Sequence, residues 1–175
     1  MSAEQDDTAG PITSFLVADH RRLDNLLHSA VTHGEHVDAG TYDQFRAGLL
    51  RHIGMEEKIL LPAAQRLRGG EPLPIAPKLR LDHGALAALL MPTPTPAILA
   101  MIRGILRSHN ILEEGPGALY ETCESLAGSE RESLLAQLMA APEVTVMPHS
   151  DGPIVMNAVQ RAVERAGYAF HEDRR

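Results

Sequence analysis

The stretch LLRHIGMEEKILLPAAQRL, residues 49–67, places apolar side chains at the three- and four-residue spacing of an amphipathic helix, with Leu49, Ile59, Ala63 and Leu67 along one side. His52 and Glu56 fall on that same side, one turn apart. Both groups are costly to take out of water, so a helix that turns them inward implies a partner that offsets their lost hydration. The pattern recurs. RHIGMEEK at 51–58 resembles SHNILEEG 57 residues on, and ADHRRLDNLL at 18–27 resembles LDHGALAALL 63 residues on. Each half of the chain therefore supplies one helix with a single inward histidine, His20 or His83, and one helix with His-x-x-x-Glu, His52–Glu56 or His109–Glu113.

Outward from these fragments, Pro11 opens a helix running to about residue 33, with Phe15, Leu16, His20, Leu23 and Leu27 on one side. A polar, Gly-punctuated loop follows. Thr41 is the expected cap of a second helix over about 42–68, and Pro62 inside it should bend the helix or force a local rearrangement. A third helix starts near Pro77 and stops at MPTPTP. A fourth begins around Pro96, carries Ile98, Ile102, Ile105, His109, Leu112 and Glu113 on one stripe, and meets Gly115-Pro116-Gly117. Shorter helical patterns cover about 129–141 and 153–166. The fold class that accommodates these elements is all-α: an up-down-up-down four-helix bundle over residues 11–127, with residues 128–175 forming a helical extension of one or two helices packed on it. At 175 residues, with no Trp, three Phe and three Tyr, the chain suits one domain with an aliphatic, helical core. Residues 1–10 and the charged last few residues are expected to be disordered or frayed.

The balance of charge excludes some functions. A formal net charge of −7, with no basic stripe and no aromatic interleaving, argues against a nucleic-acid surface. The single cysteine, Cys123, leaves no intramolecular disulfide and fits a reducing compartment. The polar, acidic start does not read as a signal peptide, and no apolar run is long enough to span a membrane, so a cytoplasmic location is expected.

Histidine is the outlier of the composition, at nine residues. One histidine on an apolar face is ordinarily a hydrogen-bonded core residue, and one His-x-x-x-Glu is ordinarily a surface pair. Here all four helices carry an inward histidine and both pairs share one spacing. Residues four apart lie about 6 Å apart along a helix, so each pair can reach one point. Metal binding is then the simplest compensation, with His20, His52, Glu56, His83, His109 and Glu113 as ligands. Zinc is satisfied by four ligands, so six in one place suggest two ions bridged by Glu56 and Glu113. Iron suits the mixed nitrogen and oxygen set, with manganese or zinc as substitutes. His28, His33 and His36 sit at a helix end or in a loop and read as solvent-exposed.

The fragments DHRRLD, HIGMEEKILLP, LDHGAL and HNILEEG, in that order over roughly residues 12–127, resemble the hemerythrin-like, or HHE cation-binding, domain family. The resemblance implies a four-helix bundle around a carboxylate-bridged, non-haem di-iron centre that handles O2 or NO. By motif, His20, His52, His83 and His109 match the histidine ligands of the four helices, and Glu56 matches a bridging glutamate. The second bridge has two candidates. Oxygen-carrying members place it five residues after the histidine, selecting Glu114; the HHE pattern places it at four, selecting Glu113. Glu113 is favoured because it shares the face of His109 and mirrors Glu56, leaving Glu57 and Glu114 to point aside. Oxygen-carrying members also have a second third-helix histidine where this chain has Ala87, which argues against reversible oxygen carriage. Asp24, one turn after His20, is a candidate substitute ligand or a group that fixes an imidazole tautomer; the alternative is a surface aspartate near Arg21.

The favoured function is therefore a di-iron protein that binds or senses O2 or NO, with peroxide as a further small ligand. Tyr120 is a candidate hydrogen-bond donor to the bound species, the alternative being plain core. Iron handling or delivery, as in family members linked to iron-sulfur repair, is the second reading, weakened by the lack of any cysteine before Cys123. A metal-free helical scaffold ranks last, because four inward histidines are costly without a cation. Turnover would need an additional acid or base near the open site, for which Asp24, Tyr120 and Glu114 are the candidates. The last third either covers one bundle end or forms a homodimer contact.

Overall fold

The computed structural model describes residues 9–31 and 36–170. His33 and the extreme termini, for which the sequence suggested exposure and disorder, lie outside the described residues. The fold is all-α. Its bundle consists of α1 (Pro11–Ala30), α2 (Ala39–Met55) continued by α3 (Leu61–Leu67), α4 (Ala76–Leu89), and α5 (Pro96–Glu114) followed by α6 (Leu119–Ala127) and α7 (Arg131–Met139). The C-terminal helix α8 (Pro153–Arg165) packs along α4. No helix among the described residues is long and apolar enough to cross a membrane.

Local chemistry explains the boundaries. Pro11, Pro77 and Pro96 all sit in the first turn of their helices, where a missing N–H costs nothing. α2 starts earlier than expected: its cap is Asp38, whose Oδ1 accepts from the Thr41 backbone N–H at 2.8 Å, so Thr41 is the capped residue and not the cap. Pro62 does force a rearrangement. Between α2 and α3 the chain makes a π-helical turn, Glu56–Leu60, in which the Leu61 N–H bonds the Glu56 carbonyl five residues back. The wide turn accommodates the proline without ending the helix. At Gly115-Pro116-Gly117 the fourth helix stops outright, and Gly117 takes φ +69° before α6 begins.

The buried apolar side chains form two clusters. One contains Leu27, Phe45, Leu86 and Ile102, together with Val159 and Val163 of α8. The other contains Ile12, Leu16, Met55, Leu60, Leu79 and Leu119. Along α1 the boundary between them falls between Leu16 and Leu23, on α2 between Leu49 and Met55, on α4 between Leu79 and Ala85, and on the α5–α6 arm between Ile105 and Leu119. His20, His52, His83 and His109 each occupy that boundary on their own helix. The bundle thus carries one polar layer between two hydrocarbon layers, which supply the packing and exclude water from it.

Residues 140–152 contain no helix and cross from α7 to α8 as an extended strap. Two arginines on α2 hold it. Arg51 donates to the carbonyls of Ala141 and Met139, and Arg46 donates to those of Leu90 and Met147. Asp151 then caps the α4–α5 loop through the Thr93 N–H and hydroxyl, both at 2.7 Å.

Candidate metal centre

Two groups of donor atoms fill the polar layer. His20, His52, Glu56 and Glu113 form one, Glu56, His83, His109 and Glu113 the other, and within each the four ligand atoms lie within 4.8 Å of one another. All six residues are buried, with Glu56 and Glu113 at 0 % exposure. The histidines are paired across helices: ring centroids are 4.4 Å apart for His20 and His52, and 4.8 Å for His83 and His109.

The two glutamates are shared. Glu56 presents Oε1 to His52 Nε2 at 3.4 Å and Oε2 to His83 Nε2 at 3.0 Å. Glu113 presents Oε2 to His20 Nε2 at 3.3 Å and Oε1 to His109 Nε2 at 2.8 Å. Each carboxylate therefore faces one histidine pair with one oxygen and the other pair with the second. Glu56 Oε2 and Glu113 Oε1 are nonetheless buried without a well-directed hydrogen bond, and His83 Nε2 stands 3.1 Å from His109 Nε2. Ring nitrogens and carboxylate oxygens converge on common points without a directed hydrogen bond to either of these two oxygens. A donor set of imidazole nitrogen and carboxylate oxygen in this arrangement fits two cations of the iron, manganese or zinc type.

The outer ring nitrogens complete the pattern. His52 Nδ1 meets Asp19 Oδ2 at 2.8 Å, His83 Nδ1 meets Glu57 Oε1 at 2.6 Å, His109 Nδ1 meets Asp82 Oδ2 at 3.3 Å, and His20 Nδ1 contacts Glu114. Each of these four imidazoles thus sets Nδ1 against a carboxylate and turns Nε2 inward, an arrangement that favours the Nδ1–H tautomer a metal ligand needs. Glu57 and Glu114 do not point aside as the sequence suggested; they hold the first histidine of the opposite half. Asp24 is exposed, and the imidazole-holding role considered for it falls to Asp19. The signal for these four carboxylates was present in the repeat, since both halves carry an Asp-His and a Glu-Glu dipeptide.

Tyr120 lies in the same polar layer. Its fully buried hydroxyl donates to Glu56 Oε1 at 2.7 Å and stands 3.2 Å from Glu113 Oε2, 3.0 Å from His20 Nε2 and 3.2 Å from His52 Nε2. Burial and the two glutamate charges push its pKa well above the ordinary 10. Among the described residues, no hydroxyl stands in the same way beside the His83–His109 pair. Ala87, the position of a further histidine in oxygen-carrying relatives, is half-buried and supplies no donor.

In the metal-free balance, burial pulls the histidines down, but the surrounding carboxylates outweigh it. His20 rises to about 10 through Glu113 and Glu114, His83 to about 11 through Glu113, Glu56 and Glu57, and His109 to about 9 through Asp82 and Glu113. His52 rises too, through Glu56 and Asp19. Burial would raise Glu56 and Glu113, yet both lie below the usual carboxylate value because imidazoles face them. The carboxylates of the layer call for either protons or cations on its nitrogens.

A cleft of about 360 Å³ reaches the edge of the layer at His20 and Glu114, rimmed by Arg21, Asp24, Arg103 and Arg107 and floored by leucines of α1, α2 and α5. At the corresponding edge by His83, Arg80 pairs with Glu57, its Nε 3.2 Å from Glu57 Oε2.

Comparison with known proteins gives one relationship. Residues 12–115 match the family model described as the hemerythrin HHE cation binding domain. No curated protein and no solved structure matches the chain.

Proposed function

The chain belongs to the hemerythrin HHE cation-binding domain family, and from that premise we propose that it is a non-haem di-iron protein that binds or senses O2 or NO. The observation that carries this reading is the sharing of Glu56 and Glu113, each facing a different histidine pair with each oxygen. On this reading His20 and His52 would hold one iron and His83 and His109 the other, with Glu56 and Glu113 as ligands common to both groups. Bound iron would supply redox change and bind a diatomic ligand.

The chain's own residues do the rest. The Nδ1 partners Asp19, Glu57, Asp82 and Glu114 keep all four imidazoles in the tautomer that presents Nε2. The two apolar clusters keep water from the layer, and the cleft at His20 and Glu114 gives a small molecule a way in. Tyr120 offers a hydroxyl proton on the His20–His52 side and, among the described residues, nothing equivalent stands on the other, so the two halves treat an incoming ligand differently. With Ala87 in place of a nitrogen donor, sensing fits the site better than reversible carriage.

Anaerobic loading with Fe(II), followed by separate exposure to O2 and to NO under absorption and EPR detection, tests the proposal. A new near-ultraviolet absorption with O2, or an iron-nitrosyl signal with NO, is expected. Rapid surrender of all iron to a chelator with no response to either gas would refute it and favour iron delivery.

A further inference from the structure

The helix α8 lies outside residues 12–115, yet a line of contacts joins its end to the metal centre. Lys78 Nζ donates to Asp82 Oδ1 at 2.6 Å, to the Ala166 carbonyl at 2.8 Å and to the Tyr168 hydroxyl at 3.4 Å, and it sits 4.6 Å from the Tyr168 ring centroid. An ammonium has three protons, so these acceptors saturate it. The other oxygen of Asp82, a fully buried residue, faces His109 Nδ1.

We propose that Lys78, anchored by the C-terminal turn of α8, is a positioning residue that sets the electron donation of His109 to its metal; the inference rests on the di-iron reading. Asp19 and Glu57 also carry a cation on their outer side, Arg22 and Arg80. Among the described residues only Lys78, of these three cations, is itself hydrogen-bonded to a further element. That element is placed with care. The strap fixed by Arg46, Arg51 and Asp151 delivers α8 to α4. Gly167, at φ +93°, then reverses the chain so that the Tyr168 N–H caps the Val163 carbonyl at 3.1 Å and the Ala166 carbonyl and Tyr168 hydroxyl meet the ammonium.

The electronic consequence has a sign. The Lys78 charge draws density from Asp82, which weakens the pull of Asp82 on the His109 N–H and leaves the imidazole a poorer donor. Without Lys78, Asp82 pulls harder and His109 donates more, favouring ferric iron. Without the Asp82 charge, His109 donates less, favouring ferrous iron. Both changes break one ion pair, so a merely structural role moves both in the same direction, whereas the proposed role splits them.

The test uses the full chain as Lys78→Met, Lys78→Arg, Asp82→Asn and Gly167→Val, each loaded anaerobically with Fe(II), counted for iron and titrated spectroelectrochemically. Lys78→Met should lower the midpoint potential. Asp82→Asn should raise it and weaken Fe(II) affinity roughly 10–100-fold. Lys78→Arg should stay near the wild type, and Gly167→Val should shift as Lys78→Met does, by less. Parallel shifts, or none, in a wild type and variants that hold two irons would overturn this inference alone. An unshifted Gly167→Val would remove α8 from it. A wild type that takes up no iron would overturn the di-iron reading, and this inference with it.

Discussion

Replacing Glu113 and Glu114 separately by glutamine distinguishes a shared metal ligand from a residue that only orients one. The substitution keeps the side chain's shape and removes one charge. Glu113 faces His20 with one oxygen and His109 with the other, so its loss reaches both histidine pairs. In the metal-free chain it leaves buried imidazolium charge uncompensated, which costs about 3–5 kcal/mol, or a fall in melting temperature of roughly 6–20 °C for a chain of this size. Among the described residues Glu114 pairs with His20 Nδ1 and with neither His83 nor His109, and its side chain is 33 % exposed. Its change costs about 0–1 kcal/mol in the metal-free chain and weakens metal binding at one position by roughly 10–100-fold. Metal analysis after anaerobic loading, with calorimetric titration of Fe(II), reads the difference. Glu114→Gln should retain two ions per chain at reduced affinity; Glu113→Gln should retain no more than one. If Glu114→Gln lost an ion while Glu113→Gln kept both, the sharing inferred from the oxygen positions would be wrong.

Tyr120→Phe removes hydrogen bonds to charged groups worth about 1.5–3 kcal/mol, so the metal-free chain should melt roughly 3–12 °C lower; an unchanged melting curve would show that the hydroxyl contributes nothing to the layer. His20, His83 and His109 have folded pKa values of about 10, 11 and 9 against an ordinary 6.5. Their stabilisation of the metal-free chain is therefore complete below pH 6.5 and is lost as pH rises through 9 to 11. Melting across that range should show the decline, and loading at about pH 7 should release protons into a weakly buffered solution because metal displaces them; loading without proton release would contradict the assignment of these nitrogens as ligands. His109→Ala should abolish paired metal binding and with it the stability that metal adds, read as melting curves that no longer respond to Fe(II).

The helices were legible because their apolar periodicity and proline positions state their own geometry: Pro11, Pro77 and Pro96 all open helices as the spacing implied. The π-helical turn was half legible. Pro62 announced a disturbance, but whether a helix kinks or widens depends on packing around Glu56 and Leu60 that no local pattern encodes. For the site, His-x-x-x-Glu spacing was sufficient to group six side chains, since a helix fixes which residues share a face. The Nδ1 partners were not legible because Asp19 and Glu57 adjoin inward residues and so sit at the margin of the inward face; their targets lie on other helices, at a rotation that only tertiary packing sets. Tyr120 was obscured for a related reason. It lies beyond the Gly115-Pro116-Gly117 break, and the register across that break brings its hydroxyl back beside Glu56.

The central claim is that the polar layer holds two cations. Fe(II) loading under anaerobic conditions, removal of unbound metal and elemental analysis beside a melting curve address it most directly. The account predicts two irons per chain and, at free metal a hundredfold above Kd, stabilisation of about 2.7 kcal/mol or more, seen as a rise of roughly 5–11 °C. One iron or none per chain, with loaded and metal-free forms melting together, would contradict it.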